Sequence, residues 1–197
     1  MKSSVAKIFF PVVLVVAALG APLRAQASAF VYEAVVAAPV GSWAEYSMSF
    51  DGKPGPKQKM VLVERRARRL VIEIETAMTN GTSLIHLDYV PMASSGWTLS
   101  AGTMRMPNGQ TVPLPSTAAD DYRIEKGRAV GERVGQETIT TPMGAMICTH
   151  WIKAGKLGAQ DVVTHIWTSD ELFPIGLVKS TIESKKMVVL LSTVGRK

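Results

Sequence analysis

The chain has 197 residues, of which 47% are hydrophobic and 19% are charged, with 16 glycines and 11 prolines. This composition is typical of a folded globular protein and excludes collagen-like and disordered chains. The sequence contains neither a sustained heptad repeat nor a repeat of roughly 20 to 50 residues, which argues against a coiled coil or a solenoid. The formal net charge is +6.

The first 27 residues predict a cleaved secretory signal peptide. Two lysines precede an apolar run, Ile8–Leu19, and the small-residue triplet Ala25-Gln26-Ala27 follows. The apolar run is too short for a bilayer core, which needs about 20 residues, and the triplet suits a signal peptidase. We expect cleavage after Ala27, export to the periplasm, and a single β-rich domain over residues 28–197.

Removal of this segment changes the charge argument. The segment contains three basic residues and no acidic one, so the net charge falls from +6 to +3. Such a charge, in an exported protein, does not favour a nucleic-acid partner. The single cysteine, Cys148, has no partner for a disulfide within the chain, so the core must stabilise the fold.

From Ser28 onwards, short runs of β-branched and aromatic residues alternate with clusters of Gly, Pro and Asn, which is typical of an antiparallel meander. Asn80-Gly81 and Asn108-Gly109 supply residues that tight hairpin turns require, and Asp51–Pro56 is expected to break a strand. The predicted strands are Ser42–Phe50, Lys59–Arg65, Arg68–Met78, Leu84–Val90, Trp97–Met106, Gln110–Leu114, Val130–Thr141, Ala145–Lys153, Val162–Ser169, Leu177–Ser184 and Met187–Val194.

These elements predict a mainly β protein: a single curved antiparallel sheet or incomplete β-barrel of about ten strands, with one or two short covering helices. The Ala/Val-rich stretch Phe30–Val40 fits either a helix on the sheet or a first strand. The polar stretch from Ser116 to Tyr122 predicts a helical turn. One large sheet needs a cover for its apolar concave face, which a helix, a hairpin or a bound apolar ligand could provide.

The C-terminal part of the sequence carries a family resemblance. Glu137-Thr138-Ile139-Thr140-Thr141-Pro142-Met143-Gly144 forms a hairpin signature, and Trp167-Thr168-Ser169-Asp170 is followed by Pro174-Ile175-Gly176-Leu177-Val178-Lys179. Over about Gly135–Lys179, this pattern resembles exported β-rich proteins of bacterial envelopes related to the outer-membrane lipoprotein carrier (LolA-like) group. The resemblance implies an incomplete β-barrel with an apolar cavity for acyl chains, and it implies no catalytic residue.

The search for catalytic motifs predicts that the protein is not an enzyme and needs no cofactor. The sequence contains no G-x-S-x-G, H-E-x-x-H, phosphate-binding Gly-rich loop or Cys-x-x-Cys. Asp120, Asp121 and Glu125 form the densest acidic group, and a solvated loop explains them better than paired acid–base catalysis.

Three side chains allow a weaker metal hypothesis. Cys148 and His150 share one face of a strand, and His165 lies opposite His150 if the intervening loop closes symmetrically. A thiolate and two imidazoles can hold copper or zinc. A buried cysteine with hydrogen-bonded histidines is the simpler reading, and His86 is expected to be an isolated polar residue.

The run Arg65-Arg66-Ala67-Arg68-Arg69 falls where a hairpin should turn. Several guanidinium groups at one edge could contact lipid headgroups or an acidic partner through paired hydrogen bonds. A solvated hairpin tip that protects the sheet edge is the alternative.

Methionine and tryptophan side chains are the candidates for an apolar cavity, because flexible thioethers and large rings line adaptable sites. The candidate cavity residues are Trp97, Met104, Met106, Met146, Trp151 and Trp167.

The sequence therefore predicts a monomeric, non-enzymatic periplasmic carrier that binds a lipid, an acyl chain or a lipoprotein anchor. The alternative is a structural or adaptor protein of the cell envelope that acts through contact with a protein partner.

Overall fold

The structure is a computed structural model that describes residues 30–93, 96–115, 122–157 and 160–196. The predicted signal peptide, and all of the predicted helical turn except Tyr122, lie outside the described residues.

The described chain forms a mainly β fold, as predicted from the sequence. One short helix, α1 (Tyr32–Ala37), precedes twelve strands, and a 3₁₀ turn (Glu183–Lys185) separates the last two strands. The strands are β1 (Ser42–Phe50), β2 (Lys53–Arg66), β3 (Arg69–Met78), β4 (Gly81–Met92), β5 (Gly96–Arg105), β6 (Thr111–Pro113), β7 (Ile124–Glu125), β8 (Glu132–Thr141), β9 (Gly144–Leu157), β10 (Gln160–Thr168), β11 (Leu177–Ile182) and β12 (Met187–Arg196).

All twelve strands belong to one curved antiparallel sheet that does not close into a barrel. The strand order is β6-β5-β4-β3-β2-β1-β12-β11-β10-β9-β8, and β7 pairs with β5. Most neighbours are consecutive in the chain, so hairpins build two halves that join where β1 pairs with β12. The sheet therefore ends at β6 on one side and at β8 on the other.

Alternation of buried and exposed side chains sets the core face of the sheet. In β1, Ser42, Ala44, Tyr46 and Met48 are buried and the residues between them are partly exposed. Because side chains alternate between the two faces, the antiparallel register carries this face across neighbouring strands. The fully buried Tyr46, for example, pairs with the fully buried Leu191 on β12.

The N-terminal stretch that the sequence left open forms α1, which packs its residues Ala34 and Val35 fully inside the protein. Backbone hydrogen bonds fix it, since the Val31 N–H donates to the Ile175 carbonyl at 2.9 Å. Gly176 has a φ of +81° and lies against Val31, where an added Cβ would come within 2.7 Å of the valine Cβ. This close approach requires glycine.

One boundary prediction is wrong. The expected break over Asp51–Pro56 is limited to Asp51 and Gly52, whose φ angles are +51° and +75°, and β2 already starts at Lys53. The prolines are tolerated because β1 and β2 shift register between Ser47 and Ser49, which removes the need for an uninterrupted ladder there. No helix among the described residues has the length and apolarity to cross a membrane.

Candidate functional site

Three of the six predicted cavity residues lie along β5 or directly after it. Met104 is opposite the buried Ile85, and it is itself 5% exposed. Trp97 and Met106 follow on the same face, partly buried against the core. The core therefore becomes half-exposed where the sheet approaches its β6 edge.

The structure adds three residues that the sequence analysis missed. Leu99 pairs with the buried Tyr89, Val112 pairs with Met104, and Leu114 packs against the backbone of Gly102. All three are partly buried against the core. The β5–β6 apolar strip consists of Trp97, Leu99, Met106, Val112 and Leu114. Leu99 could have been predicted, because it lies two positions after Trp97 and therefore on the same face of β5. Leu114 could not, because its contact with Gly102 depends on the path of the chain after β6.

The other three predicted cavity residues do not join this strip. Trp151 lies on β9 opposite the buried Ile166, and its Nε1–H donates to the Thr168 hydroxyl at 2.9 Å. Met146 and Trp167 lie on the other face of the sheet. Met146 is an odd number of positions from Trp151 on β9, and Trp167 directly follows Ile166 on β10. Side chains at odd spacing along a strand point to opposite faces. The six residues are thus divided among three places.

Three of the four arginines in the predicted cluster form contacts with other residues of the chain. Arg65 donates to the carbonyls of Val35 and Val36 at the C-terminal end of α1. Arg69 forms a bidentate ion pair with Asp88, with a shortest distance of 2.8 Å.

Glu64 completes this network at the β2–β3 tip. It forms an ion pair with Arg66, whose Nε lies 3.0 Å from Oε1, and its Oε2 accepts from Arg69 Nη1 at 3.2 Å. Arg68, by contrast, has no hydrogen bond or ion pair to any residue that the structure describes. Because β2–β3 and β4–β5 turn at the same end of the sheet, Arg68 and Trp97 are at the same end of the molecule.

A second cluster, of polar side chains, lies on β8, β9 and β10, on the face of the sheet opposite to the buried Ile166. His150 Nδ1 is 2.7 Å from Glu137 Oε1, and His150 Nε2 is 3.0 Å from His165 Nδ1. His165 Nε2 lies 3.4 Å from Glu183 Oε1. The two imidazoles, called the histidine pair below, are therefore arranged in a row between two carboxylates.

Trp167 holds this row in place. Its ring stacks on His150 with centroids 4.5 Å apart, and its Nε1–H donates to Glu137 Oε2 at 2.9 Å. These contacts lower the pKa of Glu137: the Trp167 hydrogen bond is the largest cause, and the His150 hydrogen bond and the charges of His150 and Lys179 add to it. Glu137 therefore stays a carboxylate, and His150 carries a proton on Nδ1.

The two histidines meet diagonally, not directly opposite each other as predicted. The β9–β10 hairpin pairs Leu157 with Gln160, which places His165 opposite Ile152 and His150 opposite Trp167. Both histidines still point to one face, because directly paired residues share a face. Glu137 was missed, although the register counted from the Thr141–Gly144 turn places it opposite Cys148.

Cys148 lies beside the histidine pair without joining it. Its Sγ donates to the Met146 carbonyl at 3.5 Å, and burial raises the pKa of the thiol to about 11. Within residues 30–93, 96–115, 122–157 and 160–196, no group of three or more Cys, His, Asp or Glu side chains is arranged to hold a metal ion. The predicted Cys148–His150–His165 set is therefore not assembled as a three-ligand site.

The remaining polar candidates are separate from both clusters. His86 lies 3.1 Å from Glu73 in a cross-strand pair. Glu125 is in β7, opposite Gly96, whereas Asp120 and Asp121 lie outside the described residues.

No family model and no curated protein matches the chain. Among solved structures it is similar to a protein from Bacteroides fragilis that is described as exported with a YmcC-like fold, with TM-score 0.44 and 14% identity over 80% of this chain and 97% of that chain. It is also similar to the hypothetical protein CT021 from Chlamydia trachomatis, with TM-score 0.47 and 11% identity over 84% of this chain and 91% of that chain.

LprF from Mycobacterium bovis is a third such structure, with TM-score 0.31 and 13% identity over 88% of this chain and 93% of that chain. These likenesses concern β-rich architecture, and no binding or activity follows from them. The more specific resemblance to the lipoprotein carrier group stays a prediction.

Proposed function

We propose that this protein is a non-enzymatic carrier of the cell envelope that shelters an acyl chain of a lipid or of a lipoprotein. The observation that supports this function is the β5–β6 apolar strip, where the core of an open sheet reaches the surface as a row of half-exposed apolar side chains. A closed core would end in polar residues at this edge.

The strip has the chemistry that an acyl chain needs. Trp97 and Met106 offer a flat ring and a flexible thioether, and Leu99, Val112 and Leu114 continue the same apolar surface. Each methylene that leaves water contributes about 0.8 kcal/mol to binding. A chain of ordinary length would therefore bind by the hydrophobic effect alone, without a catalytic group.

A charged headgroup would be held at the arginine end of the strip. Arg66 and Arg69 are paired with Glu64 and Asp88, whereas Arg68 keeps its guanidinium exposed at the end of the sheet where Trp97 lies. Guanidinium groups bind phosphate and carboxylate through paired hydrogen bonds. An anionic lipid is thus the favoured ligand class.

Two measurements test the proposal. Native mass spectrometry of residues 28–197, purified from periplasm without detergent, should show extra mass that is released as lipid on unfolding. A polyene fatty acid that fluoresces in apolar surroundings should bind the delipidated protein and receive energy from tryptophan.

Leu99→Gln should weaken binding of that probe at least tenfold, because a polar amide replaces apolar surface in the strip. Leu190→Gln is the matched control: Leu190 is also partly buried against the core, but it lies on β12, away from the strip. Equal losses in both variants, or a probe affinity that neither changes, would contradict the carrier function.

A second function is favoured by β8, which is an edge strand of the sheet within the part of the chain that the structure describes. This strand has ten residues, pairs with β9, and is the last strand of the order, so its outer backbone groups are a template for an added strand. An adaptor of this kind would be empty of lipid. It predicts that amides of β8 gain protection from hydrogen exchange when envelope proteins are added, whereas Leu99→Gln leaves that protection unchanged.

A further inference from the structure

We propose that three buried polar side chains, Gln58, Thr76 and Ser83, bind a hydroxyl group on the acyl chain, so that the carried ligand is a hydroxylated fatty acyl group. This inference rests on the proposed carrier function and names the ligand class of the same site. The three residues lie on β2, β3 and β4 and are called the polar row below.

The polar row lies on the core face of the sheet. Gln58 pairs with Thr76, and Thr76 pairs with Ser83, so the three side chains share one face. They are 1%, 2% and 3% exposed. The next row on this face is wholly apolar and buried, and it consists of Met60, Ile74 and Ile85. The polar row is therefore a polar step within an apolar surface.

Gln58 has an unused hydrogen-bond acceptor. Its Nε2 donates to the Thr76 hydroxyl at 3.2 Å, whereas its Oε1 is buried and has no partner among the described residues. A buried acceptor without a donor destabilises the folded protein. A ligand that supplies the donor removes this penalty, and a hydroxyl group also accepts, so it suits either orientation of the amide.

Two other buried polar atoms without a described partner differ from Gln58. The hydroxyls of Tyr89 and Ser180 are also buried and unpaired. Each of these residues is paired with apolar residues on both neighbouring strands, namely Leu70 and Leu99 for Tyr89 and Ile166 and Val189 for Ser180. Gln58 instead belongs to a row in which two further side chains carry hydroxyls.

The polar row leads to the β5–β6 apolar strip. Leu84 pairs with Arg105, so the same register places Ser83 beside Met106, a member of the strip. An added Cβ on Gly81 would lie 3.1 Å from Pro107 Cβ, which shows that the two segments stay in contact beyond Ser83. The Met106 side chain is unbranched and flexible. Its movement connects the strip with the polar row.

The position of the row indicates where the ligand carries its hydroxyl. Arg68 precedes β3, and Thr76 lies seven residues after Arg69 on that strand, which corresponds to about 23 Å. A ligand whose carboxylate meets Arg68 therefore brings the other end of its acyl chain to the polar row. We expect the hydroxyl near the methyl end.

Displacement of the polyene fatty acid by three acids tests this inference on the unsubstituted protein. A buried hydroxyl without a partner weakens binding, because it leaves water. With Gln58 as partner, ω-hydroxyhexadecanoic acid should bind about threefold to tenfold more tightly than hexadecanoic acid. α-Hydroxyhexadecanoic acid should bind no more tightly than hexadecanoic acid.

The outcomes separate this inference from the carrier function. If hexadecanoic acid binds as tightly as the ω-hydroxy acid, the carrier function stands and the hydroxyl site is wrong. If none of the three acids displaces the probe, the carrier function fails as well. Lipid released on unfolding should contain a hydroxylated acyl group, as a free acid or within a larger lipid, and mass spectrometry distinguishes the two sources. Released lipid without such a group contradicts the site.

A variant assigns the preference to the polar row. Gln58→Met removes the acceptor at similar size, so it should abolish the preference for the ω-hydroxy acid and leave the affinity for hexadecanoic acid unchanged. Ser180→Ala is the matched control, because it removes a buried unpaired hydroxyl on β11, outside the row. An unchanged preference in Gln58→Met, or an equal loss in Ser180→Ala, overturns the assignment.

Discussion

The Tyr46 hydroxyl on β1 donates a hydrogen bond of 3.0 Å to the backbone carbonyl of Leu177, at the start of β11. The two residues are 131 positions apart in the chain, and both are fully buried. This bond therefore connects the N-terminal and C-terminal halves of the sheet at a point that water does not reach.

Tyr46→Phe should lower the free energy of unfolding by about 1 to 3 kcal/mol, because it leaves a buried carbonyl without its donor. Tyr89→Phe is the matched control. Tyr89 is also fully buried, but its hydroxyl has no hydrogen-bond partner among the described residues. Urea unfolding should show no loss, or a gain, for Tyr89→Phe, and a similar loss in both variants would contradict this role of Tyr46.

Alkaline pH should destabilise the protein through the same two side chains. Burial raises the pKa of Tyr46 and of Tyr89 far above the usual tyrosine value. In the unfolded chain both phenols ionise near pH 10, so the unfolded state loses protons that the folded state keeps. The contribution of the two buried phenols to the free energy of unfolding is therefore fully present below about pH 10 and decreases above it. Unfolding in urea between pH 8 and 11 should show a shallower fall for Tyr46→Phe.

Gly195 on β12 lies directly against the ring of Trp43, where an added Cβ would be 2.5 Å from the indole Cζ2. Gly195→Ala should lower the free energy of unfolding by about 1 to 3 kcal/mol, because the rigid ring has to move. Gly155, on β9, has no atom within 4 Å of an added Cβ. Gly155→Ala should therefore be neutral or slightly stabilising. Thermal unfolding of the two variants and the unsubstituted protein is the measurement that compares them.

The fold class could be predicted because each strand carries its own local signal. In β3, Leu70, Ile72 and Ile74 alternate with polar or smaller residues, and the glycine turns Asn80-Gly81 and Asn108-Gly109 mark where strands reverse. The helix at Tyr32–Ala37 could not be predicted, because a short Ala/Val run fits both periods. Its position depends on contacts with Ile175 and Arg65, which are distant in the chain.

The candidate site was harder to predict because it depends on register. The sequence placed His150 and His165 on neighbouring strands, but their diagonal contact depends on the register in which Leu157 pairs with Gln160. Met146 and Trp167 were grouped with Trp97 on chemistry alone, although strand alternation places them on the other face. The local sequence pattern therefore predicts the strand to which each residue belongs, whereas long-range pairing determines its neighbours on adjacent strands.

Acid pH should lower the free energy of unfolding through the ion pair of Arg69 on β3 with Asp88 on β4. The hydrogen bond from Arg69 is the largest cause that lowers the pKa of Asp88, with further lowering by the charges of Arg69 and His86. A lowered pKa contributes stability above the unfolded value of about 3.9 that is lost as the pH falls through the folded value. The effect should be small, because the pair is partly exposed. Asp88→Asn should flatten the stability profile between pH 5 and 2; an unchanged profile would contradict it.

Arg65 and Arg68 are neighbours on one hairpin with different predicted roles. Arg65→Ala removes the donor to the last carbonyls of α1 and should lower the free energy of unfolding by about 1 to 2 kcal/mol. Arg68→Ala removes no contact that the structure describes, so its urea midpoint should match that of the unsubstituted protein. If Arg68 meets headgroups, however, this variant should lose the preference for anionic over zwitterionic lipid in a competition assay. A destabilised Arg68→Ala would mean that this guanidinium stabilises the fold, and an unchanged lipid preference would mean that it is a solvated hairpin tip.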